Sequence, residues 1–416
     1  MNVKKLTSGY IFYLLLAAVI VFFLFSLNIV VGPTYGGDSE WYVAAAEGRF
    51  HELIVPYSSR FLHPFMVGFF SRLFSFEVYP IFLAVTAVSV FLFLVTNSAF
   101  LKKILNSPLL LIPIFLLPYF FATLREIFQP DAFYIFLTAL FFLFLFYQKE
   151  SASLLVLFLL FLTRESTIIL GLIFIILSWL RSKKILALTA LVVVAISFYV
   201  TSAIGSIGQP NVHQLNGLVY LPLKFVYNFA ANVFGVKLWV NTYTSCEPAF
   251  QFNLPAIPQL GVINKAGFCG FDFSLPLYTL FTLLTIFGVG PLLLFSYLKR
   301  QSKKIFKEFP FWIVVALIYG LALYFIGVFA GTGIQRIVGY SWPAFLLINP
   351  FLIKKFFICD RKFIMKLSMV QILVAWLPFM VYRTGSSVFF AIAAILLAVV
   401  GYYYAFRLIK NQNVRI

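Results

Sequence analysis

Charged residues are scarce in this chain of 416 residues: only 11% are Asp, Glu, Lys or Arg. A soluble protein carries roughly 25% charged residues, so the composition excludes a set of soluble domains. Only three cysteines are present, which excludes a disulfide-rich scaffold, and no spacing of Cys and His matches a zinc site. Disorder and a coiled coil are excluded too, because the chain contains 54 Phe and 22 Tyr.

Apolar residues are abundant instead. They account for 62% of the chain, and the mean hydropathy is +1.01. Many apolar runs approach the ~20 residues that a membrane-spanning helix needs. We therefore predict an all-α fold, a polytopic transmembrane helical bundle with about 12 spans, which forms one integral membrane domain over residues 1–416. No cleavage site with small residues follows the first run, Tyr10–Val31, so we interpret it as a span rather than a removed signal peptide.

Acidic residues are few as well, 13 against 31 basic residues, which gives a net charge of +18. With the N-terminus inside, the spans place the Lys and Arg clusters in cytoplasmic loops, as the positive-inside rule expects. These clusters lie at Lys102–Lys103, Lys149, Arg181–Lys184, Lys299–Lys307, Lys354–Lys366 and Arg407–Arg415. The pattern predicts a plasma-membrane protein with both termini in the cytoplasm and contacts with anionic lipid, and it argues against nucleic acid as a partner. Most acidic residues and all three histidines fall on the outer side.

Two long loops are predicted on the outer side. The first covers residues 32–77 and includes Pro64–Phe76, a short apolar helix expected to lie parallel to the membrane. The second covers residues 205–274, where Leu218–Val240 is apolar enough to resemble a span. Counting it as a span would move the later basic clusters to the outer side, so we reject that interpretation.

Polar residues in the second loop support the same conclusion. Lys224, Asn228 and Asn232 recur every four residues and form one stripe, which is typical of a helix in the membrane interface. Cys246 and Cys269 also lie in this loop. They form either a disulfide, which an oxidising compartment allows, or two unpaired thiols.

The first outer loop holds the most concentrated acidic motif, Asp38-Ser39-Glu40, which follows the turn-forming pair Gly36-Gly37. Asp38 could cap the helix that begins there, with Glu40 favouring its first turn. Capping needs only one carboxylate, whereas this loop has two beside exposed aromatic residues. We therefore expect Asp38 to point into a cleft, with Glu40 supporting it.

Other ionisable residues lie in several outer turns, and each has a structural alternative. An arginine there can snorkel to the interface or pair with a nearby acid, and an aspartate can cap the next helix. A guanidinium can also bind a phosphate through its planar fork of donors. The candidate phosphate- or substrate-binding residues are Arg60, His63, Arg125, Arg164, Glu165, Arg336 and Arg383, and the candidate catalytic residues are Asp38, Glu40 and Asp131.

This set of residues is suited to a lipid-phosphate substrate. Arginines neutralise a phosphate leaving group, and a carboxylate takes the proton from an attacking hydroxyl. Apolar surroundings hold the lipid tail. None of these motifs is strong alone; their position on one side of the membrane is what connects them.

At this point the chain resembles the GT-C superfamily of polytopic membrane glycosyltransferases. Asp38-Ser39-Glu40 matches the acidic motif in that family's first outer loop. Gln129-Pro130-Asp131-Ala132-Phe133 and Leu162-Thr163-Arg164-Glu165-Ser166 resemble turns seen across the superfamily. The likeness covers residues 1–184. Beyond these residues, only the alternation of spans and loops agrees.

The resemblance implies a sugar transferred, with inversion, from a polyprenyl-phosphate-linked donor to a glycan, lipid or protein acceptor. It implies Asp38 as general base, with Glu40 or Asp131 assisting or holding a divalent metal, Mg²⁺ or Mn²⁺, where one is used. The chain lacks the Trp-Trp-Asp motif and the large soluble C-terminal domain of the oligosaccharyltransferases, which leaves the acceptor open. A glycan polymerase or ligase, or a transporter or flippase of lipid-linked substrates, stays open as an alternative.

Overall fold

The computed structural model describes most of the chain. The described residues are 3–33, 37–54, 56–105, 117–208, 217–240, 246–253, 265–301, 309–329, 334–356, 361–385 and 388–410. They form a predominantly helical bundle with several long apolar helices, as a protein embedded in a membrane requires.

In chain order the helices are α1 (Val3–Val31), α2 (Ser39–Ala46), α3 (Leu62–Phe74), α4 (Val78–Leu105), α5 (Pro118–Leu124), α6 (Asp131–Phe146), α7 (Glu150–Thr163), α8 (Thr167–Leu180), α9 (Lys184–Gly205), α10 (Gly217–Phe234), α11 (Ser274–Thr285), α12 (Gly290–Gln301), α13 (Phe311–Ile326), α14 (Ile334–Gly339), α15 (Trp342–Phe356), α16 (Arg361–Thr384) and α17 (Val388–Lys410). Three short 3-10 turns, Phe50–Glu52, Tyr57–Ser59 and Gly327–Phe329, complete the helical structure of the described part.

Six helices among the described residues are long and apolar enough to cross a membrane. They are α1, α4, α9, α13 (with the turn that follows it), α16 and α17. A seventh span results if the bent pair α11–α12 crosses as one unit. Helices α6, α7 and α8 are apolar but shorter. The structure thus confirms a membrane-type helical bundle, while the predicted number of about 12 spans is not reached by these criteria.

The long helices expose apolar side chains on the outside of the bundle. Phe22, Phe23 and Val30 of α1 are mostly exposed, whereas Tyr13 and Phe25 pack into the core. A water-soluble protein would bury such large side chains. A lipid bilayer is the solvent in which this surface is stable.

Two helices occupy the predicted first outer loop. Helix α3 begins two residues before the predicted Pro64 and ends at Phe74, and α2 packs against it. The two backbones approach closely at Gly68, because a Cβ there would lie 2.0 Å from the carbonyl oxygen of Ala46. Only glycine permits this approach, which holds the acidic motif at the start of α2 over the bundle.

The predominantly helical structure fits the predicted all-α bundle, and one small antiparallel sheet is present among the described residues. Its strands are β1 (Val236–Val240), β2 (Phe250–Asn253) and β3 (Lys265–Phe271), in the order β1-β3-β2. The sheet lies in the predicted second outer loop. There, Cys246 and Cys269 form a disulfide with Cα atoms 6.2 Å apart, which decides the question that the sequence left open.

The bend between α11 and α12 is sharp, at 70°. Gly288 adopts a left-handed φ of 51° at the bend, and a side chain there would collide with Gln371. The backbone groups freed by the bend find partners on other helices. Gln371 Oε1 accepts a bond from the amide of Val289 at 2.7 Å, and the Tyr402 hydroxyl donates to the carbonyls of Leu284 and Gly288 at 2.6 Å each.

Candidate functional site

Several turns meet at one end of the bundle and bring ionisable side chains together. We call this group the charge cluster; its members are Asp38, Arg60, Asp131, Arg164, Glu165 and Arg336. They come from five segments of the chain. The hydrogen-bonded pair Asp131 and Arg336, for example, is separated by 205 residues. The sequence predicted that these turns share one face of the membrane, and the structure brings their side chains into contact.

Asp131 is at the centre of the charge cluster. Its carboxylate is completely buried at the first turn of α6, where the helix dipole favours a negative charge. Oδ1 accepts bonds from Arg164 and from the Tyr340 hydroxyl, the latter at 2.8 Å, and Oδ2 accepts a bond from Arg336 Nε at 2.9 Å. Because both oxygens are occupied by charged or hydroxyl donors, Asp131 is placed to hold the two arginines.

Arg164 and Arg336 are themselves fixed by further contacts. The Arg164 guanidinium carbon lies 4.6 Å from the centre of the Tyr340 ring, a cation–π distance. Arg336 Nη2 donates to Gln129 Oε1 at 2.8 Å. Both guanidinium groups are therefore held in one orientation around Asp131, and Arg336 keeps a side-chain exposure of 26%.

Asp38 lies beside this centre and remains accessible. It precedes the first residue of α2 but makes no side-chain capping bond, so the capping interpretation does not hold. The Tyr57 hydroxyl donates to Asp38 Oδ1 at 2.6 Å, and Arg336 Nη1 lies 3.6 Å from Oδ2. The Asp38 side chain is 34% exposed, as expected for a carboxylate that faces a cleft. Asp38 and Asp131 thus share one arginine.

Arg60 and Glu165 form a second ion pair. Arg60 Nε donates to Glu165 Oε2 at 2.8 Å, and Arg60 Nη2 donates to the other carboxylate oxygen. The hydroxyl of Tyr42 accepts a third bond from Arg60 at 3.0 Å. Arg60 is buried, whereas Glu165 is 54% exposed. Partial burial disfavours the ionised form of Glu165, but the guanidinium of Arg60 outweighs it and lowers the pKa of Glu165 to about 2.

His63 follows Arg60 by three residues and lies in the first turn of α3, where its ring faces the interior. Its ring is 1% exposed and lies against Phe82 and Phe133, at centroid distances of 5.5 and 6.0 Å. Among the residues that the structure describes, neither ring nitrogen has a hydrogen-bond partner. Burial lowers the pKa of His63 to about 4, although the negative charge of Asp131 opposes this. A neutral, enclosed imidazole is poorly placed to bind a phosphate.

We expect His63→Phe to weaken the dependence of stability on pH. The pKa of His63 is about 4 in the folded protein and 6.5 in the reference state, so the unfolded chain takes up the proton first. The wild type therefore loses about 3 kcal/mol of stability as the pH falls from 6.5 towards 4. Melting temperatures of both proteins in one detergent, at pH 7 and pH 4.5, measure the difference. An equal loss in both would contradict the assignment.

The other predicted residues lie outside the charge cluster. Glu40 and Arg125 are exposed to solvent. Arg383 is also exposed, and its guanidinium carbon lies 5.3 Å from the ring centre of Phe379 on its own helix α16. The structure thus gives Arg60, Arg164, Glu165 and Arg336 partners within one site, whereas these three side chains remain on the surface.

Lys224 belongs near the site, although the sequence did not select it as a site residue. It lies on the predicted polar stripe of α10, a helix that the structure confirms. Asn228 and Asn232 of this stripe donate to the carbonyls of Phe329 and Val328, at 3.1 and 2.8 Å. These bonds fix α10 against the end of α13.

The Lys224 side chain is half-buried. Burial lowers its pKa, and the positive charge of Arg60 lowers the pKa further, while Glu165 and Asp38 act in the opposite direction. The stripe was visible in the sequence, but it was interpreted as facing the membrane interface rather than a site.

The donor set of the site does not fit a divalent cation. In the described part of the chain, no three Asp, Glu, His or Cys side chains come together as metal ligands. Asp131 has both oxygens engaged, and Asp38 already faces a guanidinium. Arginines surround these acids and favour an anionic ligand.

The charge cluster combines an accessible carboxylate with fixed guanidinium groups in apolar surroundings. Such a site can accept a proton from a hydroxyl and can stabilise a phosphate that gains negative charge.

Comparison of the chain with protein-family models, with curated proteins and with solved structures finds no match in any of the three.

Proposed function

We propose that the protein is a membrane glycosyltransferase that moves a sugar from a polyprenyl-phosphate-linked donor to a hydroxyl of an acceptor. One observation carries the proposal: Asp38 is accessible and lies 3.6 Å from Arg336, which Asp131 holds from its other side. A base for the acceptor hydroxyl and a cation for the departing phosphate are therefore adjacent. The resemblance of the Asp38-Ser39-Glu40 loop to GT-C enzymes points to the same chemistry.

The proposed reaction is a direct displacement. The acceptor oxygen forms a bond to the anomeric carbon as the bond from that carbon to the phosphate oxygen breaks. The hydroxyl proton passes to Asp38, and the electron pair leaves with polyprenyl phosphate. Attack from the face opposite the leaving group inverts the configuration of the anomeric carbon. Glu40, which is exposed in the first turn of α2, is assigned a role in assisting Asp38.

The cations of the site divide into two groups. Arg336 and Lys224 are only partly buried, and they are the groups proposed to contact the phosphate. Arg164 is almost fully buried against Asp131, and Arg60 is committed to Glu165. These two arginines are assigned a positioning role. Because the surroundings exclude much of the water, each charge acts more strongly on the phosphate than it would in solution.

The proposal includes a location and an orientation. The site would lie on the outer face of a plasma membrane, with both termini in the cytoplasm and about 12 crossings. The distribution of basic residues along the chain supports this orientation. The disulfide in the loop of residues 246–269 supports it too, because disulfides persist in oxidising compartments.

A transporter or flippase is the second candidate, favoured by the bend between α11 and α12. Broken helices in transporters leave backbone groups that coordinate ions or substrates. At this bend, however, Gln371 and Tyr402 already bond the backbone groups of Val289, Leu284 and Gly288. Protein side chains thus occupy the backbone groups at the bend that a transported ion would need. The transferase therefore remains the stronger proposal.

Mass spectrometry of lipid-linked and surface glycans tests the function. We expect cells that lack the protein to lose one sugar unit and to regain it when the wild type is supplied. A change in glycan chain length would indicate a polymerase or ligase. Accumulation of an unmodified precursor on the cytoplasmic side would indicate a flippase. Either of these outcomes would reject the transferase.

A further inference from the structure

The small sheet has one apolar and one polar face. In its register, Phe250 lies opposite Phe268, and Phe271 lies on the same face because of the bulge at Lys237–Leu238. Phe252 follows Phe250 by two residues and shares this face. All paired residues on this face are apolar. The opposite face carries the polar residues Lys237, Gln251, Asn253 and Lys265.

The phenylalanines of the apolar face form a continuous row. Ring centroids lie 5.6 Å apart between Phe250 and Phe268, 5.1 Å apart between Phe268 and Phe271, and 6.0 Å apart between Phe271 and Phe273. Four of the five rings are 52% to 65% exposed, Phe268 being the exception. Such a patch is unusual on a surface that faces water.

Phe273, the last ring of the row, indicates where the row lies relative to the bilayer. Phe273 directly precedes Ser274, the first residue of α11. Helix α11 is the first half of the bent candidate span, so its first turn lies where the chain enters the membrane. The apolar face is therefore continuous with the lipid-facing surface of the bundle.

We propose that the sheet lies flat on the outer leaflet and inserts the rings of Phe250, Phe252, Phe271 and Phe273 among the lipids. Strand β2 is an exposed edge strand. Hydrocarbon cannot bond its backbone groups, so the strand stays at the level of the lipid headgroups. The polar face then turns towards water. The proposal adds a membrane contact and does not depend on the proposed catalytic function.

A sugar or a peptide is a less suitable partner for this face. Sugar-binding and peptide-binding surfaces need polar groups that fix the orientation of the ligand. Among the described strands, the polar side chains are on the opposite face. Phenylalanine rings without such groups match lipid chains, which need no hydrogen bonds.

Fluorescent labels on both faces of β2 test the proposal. In full-length protein with Cys359→Ser, single cysteines replace Phe250 or Phe252 on the apolar face, and matched controls replace Gln251 or Asn253 on the polar face. Each cysteine carries an environment-sensitive fluorophore after reconstitution into phosphatidylcholine–phosphatidylglycerol vesicles. Intact mass verifies that the Cys246–Cys269 disulfide is retained.

We expect spin-labelled lipids to quench the labels on the apolar face severalfold more than the labels on the polar face, and iodide to show the reverse preference. Strong iodide quenching on both faces would mean that the sheet stands in water. Protection of the apolar face from both quenchers would mean that protein, such as a second copy, covers it. Either result overturns the proposal, and using two positions on each face guards against the misfolding of a single variant.

Discussion

Asp38→Asn is expected to abolish most of the sugar transfer while the protein remains folded. The asparagine keeps an oxygen that can accept the bond from Tyr57, which is 2.6 Å from Asp38, but it cannot take up a proton at neutral pH. Loss of a general base lowers a rate by roughly 10²- to 10⁴-fold. The initial rate at which the missing glycan reappears in deletion cells, after induction of each variant, measures the effect.

A matched control comes from the same loop. Glu47 is exposed and forms an ion pair with Arg49 at 2.7 Å, so Glu47→Gln removes a carboxylate of the first loop without touching the charge cluster. Its transfer rate should equal that of the wild type. If Asp38→Asn transferred sugar as fast as Glu47→Gln, Asp38 would not be the base. If Arg336→Gln were inactive while Asp38→Asn stayed active, the polymerase or ligase would become the better assignment.

The second large effect concerns stability. Asp131→Asn leaves Arg164 and Arg336 without their shared counter-charge, and Arg164 is almost completely buried. Removing one partner of a buried ion pair costs about 3–5 kcal/mol. We therefore expect a lower melting temperature in detergent and a lower yield of folded protein.

Surface ion pairs provide the comparison. Lys183 and Glu150 also join two segments, at 2.6 Å, but their side chains are more than 40% exposed. Glu150→Gln should cost less than about 1 kcal/mol. The double variant Asp131→Asn with Arg164→Gln should regain part of the stability lost by the single variant, because it removes a buried charge. Equal melting temperatures for Asp131→Asn and Glu150→Gln would contradict the central role of Asp131.

The sequence was sufficient to predict a bundle of membrane-type helices. Long apolar runs require helices in a bilayer, whereas the side of the membrane inferred from the positions of Lys and Arg stays a prediction. The structure leaves Asp38 accessible and without a capping bond, while its role as a base, inferred from two acids in one helical turn, stays a prediction. These inferences depend on local composition, which a single sequence displays.

The pairing of charges could not be predicted in the same way. Asp131 bonds Arg336 across 205 residues and Tyr340 across 209, and no periodicity connects positions so far apart. His63 and Arg60 are neighbours in sequence, but Arg60 precedes α3 and pairs with Glu165, whereas His63 lies in the first turn of α3 and packs against Phe82 and Phe133. The small sheet was missed because its strands are short and lie between membrane helices.

The long separation between Asp131 and its partners has a consequence for the synthesis of the protein. Arg164 follows Asp131 by 33 residues. At about 5–20 residues per second, the ribosome adds Arg164 about 2–7 s after Asp131. Arg336 follows Asp131 by 205 residues, which takes about 10–40 s. In the nascent chain, the carboxylate of Asp131 is therefore followed by Arg164 long before Arg336 is synthesised. The site that shares Arg336 between two acids is completed only after the ribosome has added Arg336, which lies in the last third of the chain.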